Sequence, residues 1–600
     1  MRDFLKNILA TLVGLTLFCT LGLAGLVGLL AIISIAAEDS GPRVDNKSVL
    51  AVDLSAGITD SSAEANPSEA LQEALSGSVS PQPVALRSAV NAIQAAATDR
   101  KIVGLFLTGS TPSEVGYATL REVRQALETF RESGKPIIAY DVTWNERDYY
   151  LTSVATSVVL NPSGMLEMNG LRSESVFFAG ALEKFGVGVQ VVRVGQFKAA
   201  VEPFTRSDNS PEARQQTELL LGELWGEIVN EAAQSRKLTP SKLQAIADTQ
   251  GILTPDQAKA NGLIDKVAYA DEVLTDLHKL TGEDNDEETF RKVNLSTYAD
   301  VTESSTQSRS KGDQIALVYM DGDIVDGAGG AGQVGGDRFA RLIRTLRQDD
   351  DVKAIVMRIN SPGGSASASD LVAHEVLLAS KEKPVIASMG SVAASGGYYI
   401  AARANKIFAS PNTITGSIGV FGLLPNVQKL ANTNGVTWDV IKTAPYADIE
   451  TISRPKTPAE MAILQRMVDQ VYSTFLDVVA GSRPISRQKL ADIAQGRVWS
   501  GTSAQKLGLV DQLGGLDAAL EAAAKAAKLG DRWHVEEYPT RSSLEERLVK
   551  QFLTYIPQIQ QPSSLITQEL EKLQAELNIF TTINDPVGIY TRLPFNPQIE

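Results

Sequence analysis

Short apolar runs alternate with amphipathic stretches along most of the 600-residue chain. Residues 103–109 (VGLFLTG) and 135–142 (KPIIAYDV) have the length and composition of buried strands, and residues 118–132 between them have helical periodicity. Residues 352–359 and 384–389 repeat the strand pattern farther along the chain. Alternation of this kind predicts an α/β fold with a parallel sheet covered on both faces.

The same pattern occurs twice. The run at 135–151 matches the run that begins at Lys383, and the run at 187–200 matches the run that begins at Gly435. A proline-started helix follows in each half, NSPEARQQTELLLGEL in the first and KTPAEMAILQRMVDQV in the second. Because the matches are separated by nearly constant offsets of 246 to 249 residues, we predict two copies of one α/β unit.

Composition marks the segments outside the two copies. Acidic and Ser/Thr-rich sequence around 282–312 is typical of a linker. Two apolar-periodic stretches, 544–559 and 565–580, predict amphipathic helices that cover a surface or a neighbour. The predicted domains are an anchor and its flank at 1–45, a first α/β repeat at 46–300, a linker at 301–312, a second α/β repeat at 313–530 and a C-terminal helical tail at 531–600.

An uncharged apolar run at 7–37 precedes the repeats, with Arg2 and Lys6 before it and Glu38 after it. As a helix this run is about 45 Å long, which exceeds the roughly 30 Å of a hydrocarbon core and predicts a tilted, uncleaved transmembrane anchor. A small-x-small sequence at 34–36 leaves cleavage as the alternative. The positive-inside rule places the short N-terminal side in the cytoplasm and the repeats across the membrane.

Charge and cysteine content exclude several classes of function. The net charge is −15 and no basic run interrupts the acidic average, so no nucleic-acid partner is expected. Cys19, in the apolar run, is the sole cysteine, and therefore the repeats have neither a disulfide nor a cysteine-ligated metal. No cluster of His, Cys and carboxylates has the spacing of a metal site, and no metal or other cofactor is predicted.

Two strand-to-helix turns in the second half carry the candidate chemistry. These turns are NSPGGSASASD at 360–370 and SMGSVAASGGYY at 388–399, which contains Ser395. A serine at such a turn has backbone amides beside it, and a Gly-Gly pair lets a reacting carbonyl approach the chain without meeting a Cβ. Acyl transfer needs this arrangement. For a single turn of this kind, the alternative is that the small residues have no catalytic role and serve only to let the helix pack closely against the sheet.

The two copies have lost complementary residues. Ser395 aligns with Glu146 or Arg147 of the first copy, whereas Lys198, in GQFKAAVEPF, aligns with Ala447 of the second. Lys198 follows an apolar strand and has Gly, Phe and Ala neighbours, which can desolvate its ammonium and lower its pKa. Serine is a weak nucleophile without a base, and a lysine of lowered pKa can be that base.

Histidine is the more usual base. We expect His278, in a polar helix, and His534, in the tail, to be solvated. His374 lies about two and a half helical turns beyond the SPGGS turn and would point away from it. A Ser-His-Asp triad is therefore the less favoured alternative.

Together the motifs NSPGGS, AASGGYY, TGSIGV and GQFKAAVEPF resemble those of signal peptide peptidase A in its long, duplicated form. This family consists of membrane-anchored Ser/Lys proteases with a ClpP/crotonase-like fold. The resemblance implies that Ser395 is the nucleophile, that Lys198 is the general base and that Ser417 positions the lysine amine. It also implies that Gly396 and either Gly364 or Gly363 supply the oxyanion amides.

The resemblance further implies a homotetramer in the bacterial cytoplasmic membrane, single-pass, with its catalytic region on the periplasmic side. Its substrates would be signal-peptide remnants and other extended apolar peptides. Two other functions stay open: a crotonase-like acyl-CoA enzyme, and a non-catalytic membrane scaffold. The distance between the Lys198 amine and the Ser395 hydroxyl tests the protease hypothesis against the scaffold.

Overall fold

The computed structural model describes residues 44–61, 83–283, 289–307, 312–530, 532–539 and 590–593. Strands and helices alternate through these ranges, as predicted. The strands of the first repeat are β1 (Ser48–Asp53), β2 (Ile58–Thr59), β3 (Val84–Ala85), β4 (Ile102–Thr108), β5 (Ile137–Trp144), β6 (Ser157–Met168), β7 (Gly188–Val194), β8 (Gly251–Leu253), β9 (Lys266–Val267) and β10 (Lys292–Asn294). Its helices are α1 (Leu86–Thr98), α2 (Tyr117–Glu132), α3 (Glu146–Thr152), α4 (Ala179–Phe185), α5 (Glu202–Thr205), α6 (Pro211–Arg236), α7 (Pro240–Thr249), α8 (Pro255–Asn261), α9 (Ala270–Thr281) and α10 (Leu295–Gln307).

The remaining elements belong to the second repeat and to the segment after it. The strands are β11 (Asp313–Asp321), β12 (Asp323–Val325), β13 (Gln333–Gly335), β14 (Val352–Ser361), β15 (Gly363–Ser365), β16 (Val385–Ala394), β17 (Lys406–Ala409), β18 (Ile414–Gly416), β19 (Val420–Asn426), β20 (Val498–Ser500), β21 (Gln512–Leu513), β22 (Trp533–Tyr538) and β23 (Tyr590–Arg592). The helices are α11 (Gly336–Gln348), α12 (Ala366–Glu382), α13 (Gly396–Ala401), α14 (Gln428–Thr433), α15 (Pro458–Ala480), α16 (Arg487–Ile493), α17 (Gly501–Leu507) and α18 (Leu516–Ala526).

Each half builds a sheet with the same strand order. The first sheet runs β10-β1-β4-β5-β6-β8, with β9 also paired to β6. The second sheet runs β22-β11-β14-β16-β18-β20, with β17 paired to β16 and to β21. The first five strands of each order are parallel to their neighbours. The repeat found in the sequence is therefore a repeat of topology.

The strand β11 shows why these apolar runs form buried strands. Successive side chains of a strand point to opposite faces of the sheet. Ile315, Leu317 and Tyr319 pack in the core on one face, and Ala316, Val318 and Met320 pack in the core on the other. Because both faces are covered, the strand reads as a continuous apolar run rather than an alternating one.

A third sheet joins the two repeats. Its order is β13-β12-β15-β23-β19-β7, so that β7 of the first repeat forms the edge beside β19 of the second. The two strands are antiparallel, and Val194 pairs with Val420. The residues that follow β7 therefore lie beside the second repeat.

A buried cluster of charges also crosses between the repeats. The Arg358 guanidinium, on β14, lies 2.6 Å from the Asp60 carboxylate and 2.7 Å from the Glu122 carboxylate, both of the first repeat. All three side chains are buried. A buried charge without its partners is strongly destabilising, so this cluster requires the two repeats to stay packed together.

Two predictions about the flanking segments are wrong. The supposed linker at 282–312 contains β10 and α10, and β10 pairs with β1. The supposed helical tail contains β22, which pairs with β11 as β10 pairs with β1, and also β23. Short polar strands at a sheet edge have little hydrophobic pattern, because much of their stabilisation comes from a distant partner strand.

Three predicted helices lie outside the described residues: the anchor at 7–37 and the amphipathic helices at 544–559 and 565–580. Within the ranges given above, no helix combines the length and the apolar composition needed to cross a bilayer.

Candidate active site

Ser395 lies between β16 and α13, at a turn of small residues. Its φ is +54°, in the left-handed region that non-glycine residues rarely adopt. Its N–H donates to the Gly416 carbonyl over 2.8 Å, and its carbonyl accepts from the Tyr399 N–H over 2.8 Å. These bonds hold a strained strand-to-helix turn, and such turns present a nucleophilic side chain beyond the end of a strand.

Lys198 reaches the same place from the first repeat. It follows β7 and precedes the 3-10 turn Ala199–Val201. The chain turns at Gly195, which has a φ of +105° and where a Cβ would lie 2.5 Å from the Gln495 carbonyl oxygen. Glycine is required at this position, since it alone satisfies both the backbone angle and the close approach.

The Lys198 amine contacts two serines. Its Nζ lies 2.7 Å from Ser395 Oγ, 2.9 Å from Ser417 Oγ and 3.0 Å from the Ser417 carbonyl oxygen. All three residues are fully buried. The structure thus brings together the predicted nucleophile, base and lysine-positioning residue across 197 residues of chain between Lys198 and Ser395.

Burial determines the protonation of the lysine. Desolvation holds the pKa of the Lys198 amine well below its ordinary value. The oxygens that contact the amine are hydroxyl and carbonyl oxygens, which cannot neutralise an ammonium as a carboxylate would. The neutral amine is therefore favoured, as the apolar neighbours of Lys198 in the sequence predict.

The glycine turn after β14 adjoins the serine turn. A Cβ on Gly363 would lie 2.8 Å from the Gly396 nitrogen, and a Cβ on Gly364 would lie 2.0 Å from the Ile324 carbonyl oxygen. The Gly363 N–H donates to Ser361 Oγ over 3.2 Å. Because the Gly363 N–H already donates this bond, Gly364 is the better candidate of the pair for an oxyanion donor. Gly396 is the candidate for the second donor.

A loop of the second repeat, residues 495–497, encloses Lys198 and was not predicted from the sequence. The Phe197 N–H donates to the Gln495 carbonyl over 2.9 Å, and the Ser417 N–H donates to the Arg497 carbonyl over 2.7 Å. A Cβ on Gly496 would lie 2.6 Å from Lys198 Cβ. A Gln-Gly pair in a polar loop has no chemical signature, so only folding reveals its role.

The strand β23 also borders the site and was not predicted. It pairs antiparallel with β15, which carries the glycine turn, and with β19. The Thr591 carbonyl oxygen lies 2.1 Å from the position that a Cβ on Gly363 would take.

The histidines occupy other places. The prediction that His278 is solvated is wrong: it is buried, and its Nε2 lies 3.0 Å from the Thr289 carbonyl oxygen. His374 is exposed on α12, and His534 lies in the edge strand β22. In the described ranges, the basic side chain within hydrogen-bond distance of Ser395 is Lys198.

Metal ligation has no candidate in the part of the chain that the structure describes. No group of three or more His, Cys and carboxylate side chains is arranged there to hold an ion.

An α/β fold with a buried serine at a glycine-lined turn is typical of hydrolases that use a serine nucleophile. The model of peptidase family S49 matches residues 129–283 and 378–530, once in each repeat, and the model of Clp protease matches residues 332–415. The chain belongs to peptidase family S49, and it is a serine protease.

Curated relatives agree with this assignment. The chain is 35% identical over 561 residues to Protease 4 of Salmonella typhi, covering 91% of this chain and 90% of the relative. It is 33% identical to Protease 4 of Haemophilus influenzae, covering 87% of each. It is also 33% identical to the chloroplastic serine protease SPPA of Arabidopsis thaliana, covering 72% of this chain and 64% of the relative. The alternatives of an acyl-CoA enzyme and of a non-catalytic scaffold are thereby set aside.

Proposed function

We propose that this protease is a membrane-anchored endopeptidase that hydrolyses released signal peptides with a Ser395/Lys198 dyad. The observation that carries the proposal is the 2.7 Å distance between Lys198 Nζ and Ser395 Oγ in a fully buried site. This distance is within the range over which a base takes a proton directly from its nucleophile.

The other contacts of the amine support its role as a base. A neutral amine has two hydrogens and one lone pair. The two hydrogens can be donated to the hydroxyl and carbonyl oxygens of Ser417, at 2.9 Å and 3.0 Å. The lone pair is then left for the hydroxyl proton of Ser395. Ser417 accordingly acts as a positioning residue, through the lysine.

In the proposed reaction, Lys198 accepts the Ser395 proton while Oγ forms a bond to the peptide carbonyl carbon. The amides of Gly364 and Gly396 stabilise the oxyanion, and each such donor accounts for about a hundred- to thousandfold in rate. The lysine ammonium gives its proton to the leaving amine as the C–N bond breaks. Neutral Lys198 then takes a proton from water as the water oxygen bonds to the ester carbonyl carbon. The lysine ammonium returns that proton to Ser395 Oγ as the C–Oγ bond breaks, which releases the acid and restores the serine hydroxyl.

The substrate and the location follow from the apolar run at 7–37 and from the resemblance to the signal peptide peptidase family. Its length suits a single-pass anchor, and the positive residues before it favour placing both repeats on the periplasmic side of a bacterial cytoplasmic membrane. A released signal peptide is an extended apolar segment that lies at the same membrane. Such a peptide can add as a strand to an exposed sheet edge, with pockets for its side chains.

We further propose that the protein assembles as a homotetramer. Within one chain, β7 of the first copy pairs with β19 of the second. The repeat offset maps these strands onto residues 437–443 and 172–178, and in the described ranges neither segment is part of a sheet. The first exposes 45% of Trp438, 48% of Val440 and 96% of Ile441. Pairing of 437–443 with 172–178 of the next copy would be head-to-tail, the type of interface that builds a ring when its rotation closes.

A membrane assay tests the catalytic proposal. Membranes from cells that produce the full chain are incubated with a synthetic signal peptide, and cleavage is followed by mass spectrometry. We expect S395A and K198M to lose at least about a thousandfold in kcat/KM. The exposed-lysine variant K353M and the exposed-histidine variant H374A should retain wild-type activity. Cleavage by S395A would contradict the dyad, and activity in the soluble fraction alone would contradict the location.

A further inference from the structure

A buried glutamine on α6 contacts both backbone segments that adjoin Lys198. Gln216 is 2% exposed. Its Nε2 donates to the Phe197 carbonyl over 3.3 Å, and its Oε1 accepts from the Val498 N–H over 3.2 Å. Phe197 directly precedes Lys198, and Val498 directly follows the loop 495–497 that encloses the lysine. One side chain of the first repeat therefore joins the lysine segment to that loop of the second repeat.

The chemistry of these two contacts specifies an amide. The Phe197 carbonyl can only accept a hydrogen bond, and the Val498 N–H can only donate one. A glutamine side chain supplies both a donor and an acceptor, whereas an ionised carboxylate has no donor and a thioether has only a weak acceptor. Both polar ends of Gln216 are therefore used at this place.

The start of α6 is fixed to the lysine segment by a second buried contact. The Glu202 carboxylate, on α5, accepts from the Ser210 N–H over 2.9 Å. Ser210 is the N-cap of α6, and its hydroxyl oxygen accepts from the Ala213 N–H over 3.1 Å. Gln216 therefore reaches the lysine segment from a helix whose beginning is held to the same segment.

The second copy has an apolar residue in place of this amide. Counted from the prolines that begin α6 and α15, Pro211 and Pro458, Gln216 aligns with Ile463. The glutamine thus stands in the copy that carries Lys198, and it is replaced in the copy that lacks the lysine. This is the same complementary pattern that distinguishes the two members of the dyad.

The attachment of α6 to the second repeat has other sources. Leu220 and Leu224 lie with Val498 in one apolar cluster. The Glu223 carboxylate accepts from the Ser503 hydroxyl over 2.6 Å. We therefore expect the helix to stay in place when the amide of Gln216 is removed.

We propose that Gln216 is a positioning residue of the reaction, whose amide clamps the two backbone segments so that Lys198 stays enclosed and aimed at Ser395. The inference rests on the proposed function, because it assigns a role in holding the proposed base. The Arg497 carbonyl of the clamped loop also accepts from the Ser417 N–H over 2.7 Å. Movement of the loop would therefore disturb the partners of the amine and admit water to it.

Release of the clamp has a signature in the pH dependence of the reaction. Desolvation holds the pKa of the Lys198 amine low. The charged residues on the adjoining segments are Arg497 in the loop and the pair Arg193 and Glu202, 3.8 Å apart on β7 and α5, but desolvation is the cause of the shift. Hydration of a loosened site would therefore raise the pKa, and the neutral fraction below that pKa falls about tenfold for each unit of rise.

The first experiment measures kcat/KM against pH for full-length Q216M and Q216N in membranes, with a short fluorogenic apolar peptide as substrate. Asparagine keeps the amide but is too short to reach both partners. At neutral pH we expect each variant to lose at least about tenfold in kcat/KM, because small misplacements of catalytic groups are costly. The midpoint of the rise of kcat/KM with pH should also move up by about one pH unit.

Two control variants on the same helix should keep the wild-type midpoint. Q215M changes the neighbouring, exposed glutamine. I228A removes a side chain from the core of the first repeat and tests for a general loss of stability. Unfolding of some molecules lowers the activity without moving the midpoint. An unchanged midpoint in folded Q216M and Q216N would overturn the positioning role, whereas activity of K198M would contradict the proposed function instead.

A second experiment does not depend on activity. Hydrogen exchange is followed by mass spectrometry in S395A chains with and without Q216M. We expect the segments 413–419 and 494–500 to exchange at least about tenfold faster in the Q216M chain, because the loop has lost its clamp. The segment 352–361, the strand β14, should exchange equally in both chains. Equal exchange of the two loop segments would show that Gln216 does not hold them and would overturn the inference.

Discussion

At the scale of single residues, the chemistry of the site depends on the burial of one amine. A surface lysine is an ammonium at neutral pH and cannot take a proton. Lys198 is fully buried among hydroxyl and carbonyl oxygens, and desolvation holds its pKa well below the ordinary value. In the proposed mechanism, the fold thus makes a base from a residue type that is usually an acid.

The lowered pKa of Lys198 predicts that the difference in stability between K198M and the wild type depends on pH. Between the folded-state pKa and the ordinary lysine pKa of 10.5, the unfolded chain binds a proton that the folded chain does not. The free energy of unfolding of the wild type therefore rises with pH across this window. Methionine has no proton to bind. We expect the stability of K198M relative to wild type to fall as the pH rises through the window, as measured by urea unfolding.

The control for this prediction is K353M, in which methionine replaces an exposed lysine. The same titration should set the activity of the wild type, because only the neutral amine can accept the serine proton. We expect kcat/KM to rise with pH through the folded-state pKa of Lys198. A pH-independent stability difference for K198M would contradict the depressed pKa.

At the scale of elements, two loops of different repeats position the lysine. The turn at Gly195 packs against the loop at 495–497, and this loop also contacts Lys198. Gly496 leaves no space for a side chain, because its Cβ would lie 2.6 Å from Lys198 Cβ. The loop therefore sets where the amine points.

We predict that G496A lowers kcat/KM by at least about tenfold through displacement of Lys198, since small misplacements of catalytic groups are costly. G134A is the matched control. Gly134 has a φ of +81°, close to the +76° of Gly496, but no atom lies within 4 Å of its Cβ position. Both variants should lose about 1 kcal/mol of stability from backbone strain alone. Equal activity of the two variants would contradict the positioning role of the loop.

At the scale of the whole molecule, the duplication leaves two segments that belong to no sheet within the described chain. Residues 437–443 and 172–178 correspond by the repeat offset to β7 and β19, which do pair. Exposed apolar groups in a segment outside a sheet favour association with a second copy. The assembly proposal therefore depends on the same pairing that builds the active site within one chain.

We expect I441R to convert the proposed tetramer to monomers, because a charged side chain would enter the proposed strand pairing. Size-exclusion chromatography with light scattering measures the mass. M467R, at an exposed methionine on α15 outside both segments, is the control and should leave the mass unchanged. An I441R protein of tetrameric mass would rule out this interface.

Much of the site was predictable from the sequence because the two copies differ in their chemistry. Ser395 and Lys198 each stand where the other copy has an unrelated residue, and small residues around Ser395 and apolar residues around Lys198 indicate their roles. Ser417 and the glycine turns followed from the resemblance of their motifs. These signals lie in neighbouring residues, so they can be recognised in the sequence without knowledge of the fold.

Other features have no local signal. Loop 495–497 and β22 are polar sequences whose roles come from partners hundreds of residues away, and His278 is buried although its helix is polar.

The sequence by itself determined the α/β class, the duplication and the residue types available for chemistry, because hydrophobic period and motif spacing are properties of neighbouring residues. Only the tertiary structure decided that β7 pairs with β19, that an amine and a hydroxyl 197 residues apart lie at 2.7 Å, and that β23 lies beside the glycine turn. Strand pairing between distant segments decides these contacts, and it depends on which edges and gaps the rest of the fold leaves open.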